Sequence, residues 1–193
     1  MKSIRFKHLS GFAFLLGFFF FISCEKKVSI VKVDDGLSAE EHIKLGMIYY
    51  QDGEIEAARK QFERAVLEDK ANADAWFGLG LCQHRLENYE QAGRAFQKAV
   101  ELRPDYATAH NNLADCYLKL GRLDRAEKEA QEAIRTGNQN LGYFHLTYVE
   151  VLIARGKIES ACAELKTAKS FSENDGILAS RINELWEKNC DGR

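Results

Sequence analysis

The apolar and small residues of this chain keep the spacing of amphipathic helices that lie in pairs. Within Ala73–Tyr106, two such sets each fall on one stripe of a helix, at intervals of three or four residues. The first set is Trp76, Leu79 and Gly80, and the second is Ala92, Phe96 and Ala99. Pro104, the only proline in the chain, follows the second stripe and prevents that helix from continuing. The segment therefore predicts a helical hairpin.

The hairpin pattern recurs along the chain at an interval of 34 residues. A fourth copy fits when one residue is added in the loop at 137–142. Because one hairpin cannot bury its apolar face alone, the copies must stack. The residues that recur in phase are Ala58, Ala92 and Ala126; Ala65, Ala99 and Ala133; Leu45, Leu79 and Leu113; and Phe62, Phe96 and Ala130, with Ala161, Leu165 and Ala168 in the fourth copy.

These repeats divide residues 38–175 into four units and predict nine helices. Ser38 with Glu41, and Asn88 with Gln91, have the spacing of capping boxes that start helices. Beyond the repeats, residues 176–193 contain a helix that is apolar on one side and polar on the other, which is typical of a solenoid cap. The units are 39–72, 73–106, 107–141 and 142–175, and the predicted helices are 39–52, 55–69, 73–86, 89–102, 107–120, 123–136, 141–155, 158–171 and 175–189.

The second unit resembles the tetratricopeptide repeat, whose pattern is Trp, Leu-Gly, Tyr, Ala, Phe, Ala and Pro. Trp76, Leu79-Gly80, Ala92, Phe96, Ala99 and Pro104 match this pattern, whereas Gln83 stands at the Tyr position. The resemblance extends over about 38–175. It implies an all-α, right-handed superhelical solenoid of four helix-turn-helix repeats with a C-terminal capping helix. It also implies a protein that binds other proteins.

The N-terminal segment 1–23 reads as a lipoprotein signal peptide. Three basic residues precede an uncharged stretch, Leu9–Ser23, which is too short for a spanning helix of about 20 residues. The stretch ends Phe21-Ile22-Ser23-Cys24, which resembles the bacterial lipobox, and this resemblance implies that Cys24 is lipidated. An uncleaved N-terminal anchor and an ordinary cleaved signal are the alternatives. Glu25 follows Cys24, and the sorting pattern of lipoproteins then favours the periplasmic face of the outer membrane.

Residues 24–37 are charged and mixed, and we interpret them as a tether; a strand at 28–33 would have no other strand to pair with. Without the three basic residues of 1–23, the chain carries 24 basic and 29 acidic residues. A nucleic-acid-binding protein needs a basic stripe, so nucleic acid is not an expected partner.

The histidines and cysteines that recur in phase do not predict a metal site. His42, His110 and His145 stand at the position of Trp76, and equivalent positions in stacked repeats lie about 10 Å apart. A metal needs ligands about 2 Å away, so these histidines are packing variants. The same separation prevents a disulfide between Cys82 and Cys116. With no catalytic motif or phosphate loop, we expect neither an enzyme, nor a cofactor, nor a small-molecule substrate.

Cys162 and Cys190 are candidates for a disulfide. Cys162 lies on the last repeat helix, and Cys190 ends the capping helix, so the two can meet if the cap packs there. An oxidising periplasm would favour the bond. The alternative is two free thiols, with Cys190 at a frayed terminus.

The resemblance places the binding surface on the concave side, which the first helix of each unit lines. The groove residues that the resemblance implies include apolar side chains, which we expect to form one continuous patch. They also include charged side chains, which we expect to contact acidic residues of a partner. The alternative is that the tether or another helix covers the patch. We call these residues the groove set: Ile43, Met47, Tyr50, Phe77, Leu81, His84, Arg85, Asn111, Asp115 and Lys119.

A lipoprotein built of these repeats is similar to two groups. One comprises the type IV pilus biogenesis lipoproteins, or pilotins, and the run Ala-His-Asn-Asn-Leu at 109–113 resembles their third repeat. That group implies an outer-membrane secretin as the partner. The other group comprises lipoprotein adaptors that scaffold peptidoglycan hydrolases.

Overall fold

The described part of the protein, residues 36–191 of a computed structural model, is all-α. The predicted signal peptide, Cys24 and the predicted tether up to residue 35 lie outside the described residues. Within 36–191 there are nine helices, each beginning and ending within two residues of its predicted bounds, and none is long and apolar enough to cross a bilayer. They are α1 (Ala39–Gln51), α2 (Ile55–Glu68), α3 (Ala73–Arg85), α4 (Tyr89–Leu102), α5 (Ala107–Lys119), α6 (Leu123–Thr136), α7 (Leu141–Ala154), α8 (Ile158–Lys169) and α9 (Gly176–Asn189).

Four hairpins stack in the order of the sequence, as the repeat predicts. The pairs are α1–α2, α3–α4, α5–α6 and α7–α8, and each second helix also packs against the first helix of the next unit. First helices contact one another along the same side, as α1 does with α3 and α5 with α7. The predicted four-repeat solenoid is therefore confirmed, and α7 begins at Leu141, one residue before the expected fourth unit.

Fully buried phenylalanines fill the space that glycines leave on the facing helices. A Cβ atom added at Gly78 would lie 2.1 Å from the Phe62 ring, and one added at Gly80 would lie 2.5 Å from the Phe96 ring. Neither ring is exposed to solvent. Burying a phenylalanine stabilises a fold by about 2–3 kcal/mol, so these two contacts hold consecutive helices together.

The turn between the two helices of each unit requires a left-handed residue. Gly53, Gly121 and Gly156 have φ angles of 80°, 68° and 73° there. Glu87 occupies the same place in the second unit with φ of 60°. A side chain in this conformation is strained, because its Cβ approaches the following carbonyl.

Two of the nine helix starts show how the capping predictions fared. At α1 the box is confirmed, since the Ser38 side chain accepts from the amide of Glu41 and Glu41 accepts from the amide of Ser38. At α4 the predicted box is wrong, because Asn88 makes no side-chain cap. The side-chain amide of Asn88 instead donates to the side chain of Gln83, 3.0 Å away.

The C-terminal helix α9 covers the last repeat, as predicted for a cap. Leu178, Ile182 and Leu185 are buried against a cluster that includes Leu165. A disulfide joins Cys162 of α8 to Cys190, with 5.8 Å between the Cα atoms, so the end of α9 is covalently attached to the repeat beneath it.

Candidate partner-binding groove

The groove set lies on α1, α3 and α5, the first helices of three consecutive units. These side chains differ widely in exposure. Met47 is 36% exposed, and Arg85 and Lys119 are also exposed. The other seven members are half-buried, so most of the groove set combines packing within the protein with a face open to solvent.

The apolar members divide between two parts of the core. Ile43 and Tyr50 pack against the cluster formed by Ala58, Phe62 and Cys82. Phe77 and Leu81 pack against a separate cluster built around Phe96. The expected patch of Ile43, Met47, Phe77 and Leu81 therefore draws its residues from two neighbouring units, in agreement with their positions on α1 and α3.

Phe77 has a larger structural role than a groove residue was expected to have. Its ring centroid lies 5.6 Å from that of Phe96 and 4.8 Å from that of Tyr106. Aromatic pairs at these distances stabilise a fold beyond the area that they bury. A substitution at Phe77 is therefore expected to destabilise the fold.

His84 and Asp115, both members of the groove set, contact each other within the chain. His84 Nε2 lies 2.6 Å from Asp115 Oδ2, and this contact joins α3 of the second unit to α5 of the third. The His84 ring also meets the edge of Tyr89, with centroids 5.4 Å apart. We expected His84 to contact acidic residues of a partner, and in this structure its acidic neighbour is Asp115 of the same chain.

A second polar network fixes the start of α3. Arg103 donates to both carboxylate oxygens of Asp74, at 3.0 and 2.7 Å, and the Tyr106 hydroxyl donates to one of them at 3.0 Å. The hydrogen bonds from Arg103 hold the pKa of Asp74 below its usual value, and burial raises the pKa of Tyr106. Sequence reasoning missed Arg103 and Tyr106, which lie on either side of the dipeptide Pro104-Asp105 in the loop between units.

Two positively charged side chains on the groove side are exposed and unpaired in the described structure. Arg85 and Lys119 are exposed, occupy the same position in consecutive units, and have no carboxylate partner among residues 36–191. Nearby on α5, Asn111 Oδ1 is buried without a hydrogen-bond partner in the described structure.

The in-phase histidines lie apart, each inside its own unit. His42 Nδ1 is 2.8 Å from Gln61, His110 Nδ1 is 2.7 Å from Glu129, and His145 Nδ1 contacts Glu164. Each contact joins the two helices of one hairpin, as the interpretation of packing variants anticipates. No group of three or more metal-ligating side chains was found among the described residues.

Cys82 and Cys116 are buried and not bonded to each other. Burial raises the pKa of each thiol to about 12. At neutral pH both thiols are therefore protonated and unreactive, and they serve as small core residues.

The comparisons with known proteins agree with this architecture. The family model described as "Tetratricopeptide repeat" matches residues 43–106 and 85–140, which together span just over half of the chain. No curated protein matches. A thermophilic TPR protein of Thermus thermophilus, TTC0263, is 25% identical, with a TM-score of 0.67 over 78% of this chain and 82% of its own.

Two other solved structures share the fold at lower identity. Pseudomonas aeruginosa pilF is 21% identical, with a TM-score of 0.69 over 78% of this chain and 68% of its own. YrrB, a TPR protein with an unusual peptide-binding site, is 19% identical, with a TM-score of 0.64 over 79% of each chain. At these identities, the likeness concerns the fold alone.

Proposed function

Because the chain belongs to the tetratricopeptide repeat family, whose fold is that of a protein-interaction scaffold, we propose that it binds a partner segment across the groove set. The observation that carries the proposal is the pair of open cations, Arg85 and Lys119, beside half-buried apolar side chains of the same helices. Packing in the core accounts for the buried part of these apolar side chains. It accounts neither for their exposed part nor for the presence of the two cations.

The chemistry of the groove set defines the partner segment. Ile43, Met47 and Leu81 offer apolar surface to an amphipathic helix or an extended segment. Arg85 and Lys119 then meet acidic side chains of the same segment. Burying roughly 200–300 Å² of apolar partner surface would contribute about 5–8 kcal/mol before the costs of association.

The proposal includes attachment to the bacterial cell envelope through lipidated Cys24, at the periplasmic face of the outer membrane. The disposition of the cysteines supports an oxidising compartment. Cys162 and Cys190 are bonded, whereas Cys82 and Cys116 are buried where no oxidant or partner thiol reaches them. Lipid attachment itself rests on the lipobox resemblance of Phe21–Cys24.

Within this proposal, a pilotin-like role in secretin assembly is the specific function we favour. It is supported by the run at 109–113 and by the fold shared with P. aeruginosa pilF. Under this function, the segment bound in the groove comes from a secretin.

A pair of variants on one helix tests the groove. Met47→Glu places a charge on the groove side of α1, whereas Ile48→Glu makes the same change at a residue that is 53% exposed and outside the groove set. Lipidated protein carrying either change is used for pull-down from detergent-solubilised membranes, with quantitative mass spectrometry. We expect Met47→Glu to reduce the secretin at least tenfold and Ile48→Glu to leave it unchanged.

Different outcomes test the groove, the pilotin role and the lipid anchor separately. If Met47→Glu captures every wild-type partner, the groove is not the binding surface. If the partner lost is a peptidoglycan hydrolase, the scaffold function stands and the pilotin role is wrong. Anchoring is tested independently with Cys24→Ser, which should leave an unprocessed, unacylated precursor. A Cys24→Ser protein that matures and partitions with membranes like wild type would exclude lipidation.

A further inference from the structure

A second open cleft, of about 350 Å³, lies between α4 and the start of α6 and shares no residue with the groove set. We call it the α4–α6 cleft. Gly93 and Tyr117 lie at its base, where Tyr117 is only 8% exposed and its hydroxyl donates to Gln97, 3.2 Å away. Its cationic lining comes from two elements, with Arg94 and Lys98 on α4 and Arg122 and Arg125 at the start of α6.

The cleft is open because glycine stands where the other second helices carry a side chain. The positions equivalent to Gly93 are Arg59 in α2, Glu127 in α6 and Cys162 in α8. Arg59 and Glu127 form ion pairs there, and Cys162 forms the disulfide with Cys190. Only the second unit leaves this position empty.

Packing does not require a glycine at Gly93. A Cβ atom there would make ordinary contact, 3.7 Å from the Cβ of Cys116. At Gly78, in contrast, an added Cβ would lie 2.1 Å from the Phe62 ring. Gly93 also lies inside a helix, where glycine is less favourable than alanine. The helix therefore carries an unfavourable residue whose structural effect is to keep the cleft open.

The charges around the cleft are not balanced. Arg122 pairs with Glu90 at 2.5 Å, and Lys98 pairs with Glu101 at 3.0 Å. Arg125 lies over the Tyr117 ring, 5.7 Å from its centroid. Within residues 36–191, neither Arg94 nor Arg125 has a carboxylate partner, so two guanidinium groups are available beside the cleft.

The arrangement of these cations indicates the class of ligand. All four are exposed and come from two elements, whereas a single small ion is held by buried donors that converge on one point. Arg94 and Lys98 are one helical turn apart, so their charges form a short row along α4. We propose that the α4–α6 cleft binds an acidic peptide segment of a protein partner, with carboxylates paired to Arg94 and Arg125 and the chain lying over Gly93.

Charge reversal at the unpaired arginines tests the proposal. The probe is a fluorescein-labelled hexaglutamate peptide, and its binding to residues 24–193 of the lipid-free protein is measured by anisotropy at low ionic strength. The matched control is Lys60→Glu, which makes the same charge change at the position of Arg94 in the first unit. Arg94→Glu and Arg125→Glu, each made as a single variant, should each weaken hexaglutamate binding at least tenfold, and Lys60→Glu should weaken it less than twofold.

Filling the cleft separates specific binding from general charge attraction. Gly93→Arg adds a positive charge but occupies the space that the other second helices fill. If the cleft is the site, this variant binds hexaglutamate more weakly than wild type while its circular dichroism is unchanged. The proposal would be overturned by tighter binding of hexaglutamate to Gly93→Arg than to wild type. Equal losses of binding in the arginine variants and in Lys60→Glu would overturn it too, and so would an absence of binding by wild type. So would competition by inorganic phosphate as effective as competition by unlabelled hexaglutamate.

Discussion

His110 and Glu129 form a buried pair, 2.7 Å between Nδ1 and Oε2, that links α5 to α6 within the third unit. The other ring nitrogen of His110, Nε2, lies 3.0 Å from the carbonyl oxygen of Pro104. The carbonyl oxygen and the ionised carboxylate of Glu129 can only accept hydrogen bonds, so both nitrogens of the ring must donate. The geometry therefore selects the imidazolium form.

The first prediction is that the contribution of His110 to the free energy of unfolding falls as the pH rises. Burial acts to lower the pKa of His110, but the hydrogen bonds to Glu129 and Pro104, with the charges of Glu129 and Glu132, raise it above its usual value. The stabilisation is thus complete below the unfolded pKa of about 6.5 and is lost as the pH rises through the folded-state pKa.

Urea unfolding of wild type and His110→Ala from pH 5 to pH 9 measures this contribution. His110→Ala should lower the free energy of unfolding by about 1.5–3 kcal/mol at pH 5, the range for hydrogen bonds to charged groups, and by less at pH 9. Glu129→Gln keeps the shape of the partner and removes its charge, so it should reduce the pH dependence as well. An unchanged difference across the pH range would show that His110 is not held as the imidazolium.

The second prediction contrasts two glycines that face the core differently. Gly78→Ala should destabilise the domain by about 1–3 kcal/mol, because its Cβ meets the buried Phe62 ring. Gly93→Ala makes the same change where the added Cβ would meet only ordinary contacts, the nearest 3.7 Å away at the Cβ of Cys116, and it should be neutral or stabilising by up to about 1 kcal/mol. Thermal unfolding followed by circular dichroism ranks the two. If the two substitutions destabilise the domain equally, the space beside Gly93 is filled by neighbouring side chains in solution.

The third prediction concerns the strained turn at Glu87. Glu87→Gly should stabilise the domain by roughly 0.5–1 kcal/mol, because glycine adopts a positive φ without steric cost. Glu87→Ala removes the same carboxylate but keeps the strain, and should leave stability nearly unchanged. If both substitutions have the same effect on the urea midpoint, then side-chain charge rather than backbone conformation controls this turn.

The fourth prediction concerns the disulfide that attaches α9. Mass spectrometry of unreduced, alkylated protein should find Cys162 and Cys190 joined, and two alkylated thiols there would contradict the bond. Replacing both residues with serine should cost about 2–4 kcal/mol of stability. Hydrogen exchange should then increase first in α9, which the bond holds at its C-terminal end. Reductant should destabilise wild type and have no effect on the double variant.

The helices and their pairing were predictable from the sequence because their signals are local and repeated. The 34-residue period specified which residues face the core, so Ala58, Phe62 and their later counterparts are buried as expected. Misassigned caps show the limit of such reasoning. Asn88 and Gln91 have the spacing of a capping box, but the turn at Glu87 leaves the Asn88 side chain bonded to Gln83.

The positions of the groove set on α1, α3 and α5 were predictable from the repeat, but the neighbours of these side chains were not. A period assigns a side chain to a face of its helix, and it does not say which neighbour satisfies that side chain. His84 and Asp115 are 31 residues apart, one in each of two units, and their contact arises only when those units stack. The same applies to Phe77, whose packing against Tyr106 depends on the path of the loop between units.

The sequence by itself determined the fold class, the number of repeats and the face of each helix, because helical periodicity and glycine or proline positions act over a few residues. Only the tertiary structure decided which polar groups are satisfied internally and which remain open, because that depends on the distance between units. Asp74 and His84 are paired within the chain, whereas Arg85 and Lys119 extend from the same row of helices without a carboxylate partner in the described structure. The α4–α6 cleft is likewise a tertiary feature, since a missing side chain at Gly93 opens a space only where α4 and α6 come together.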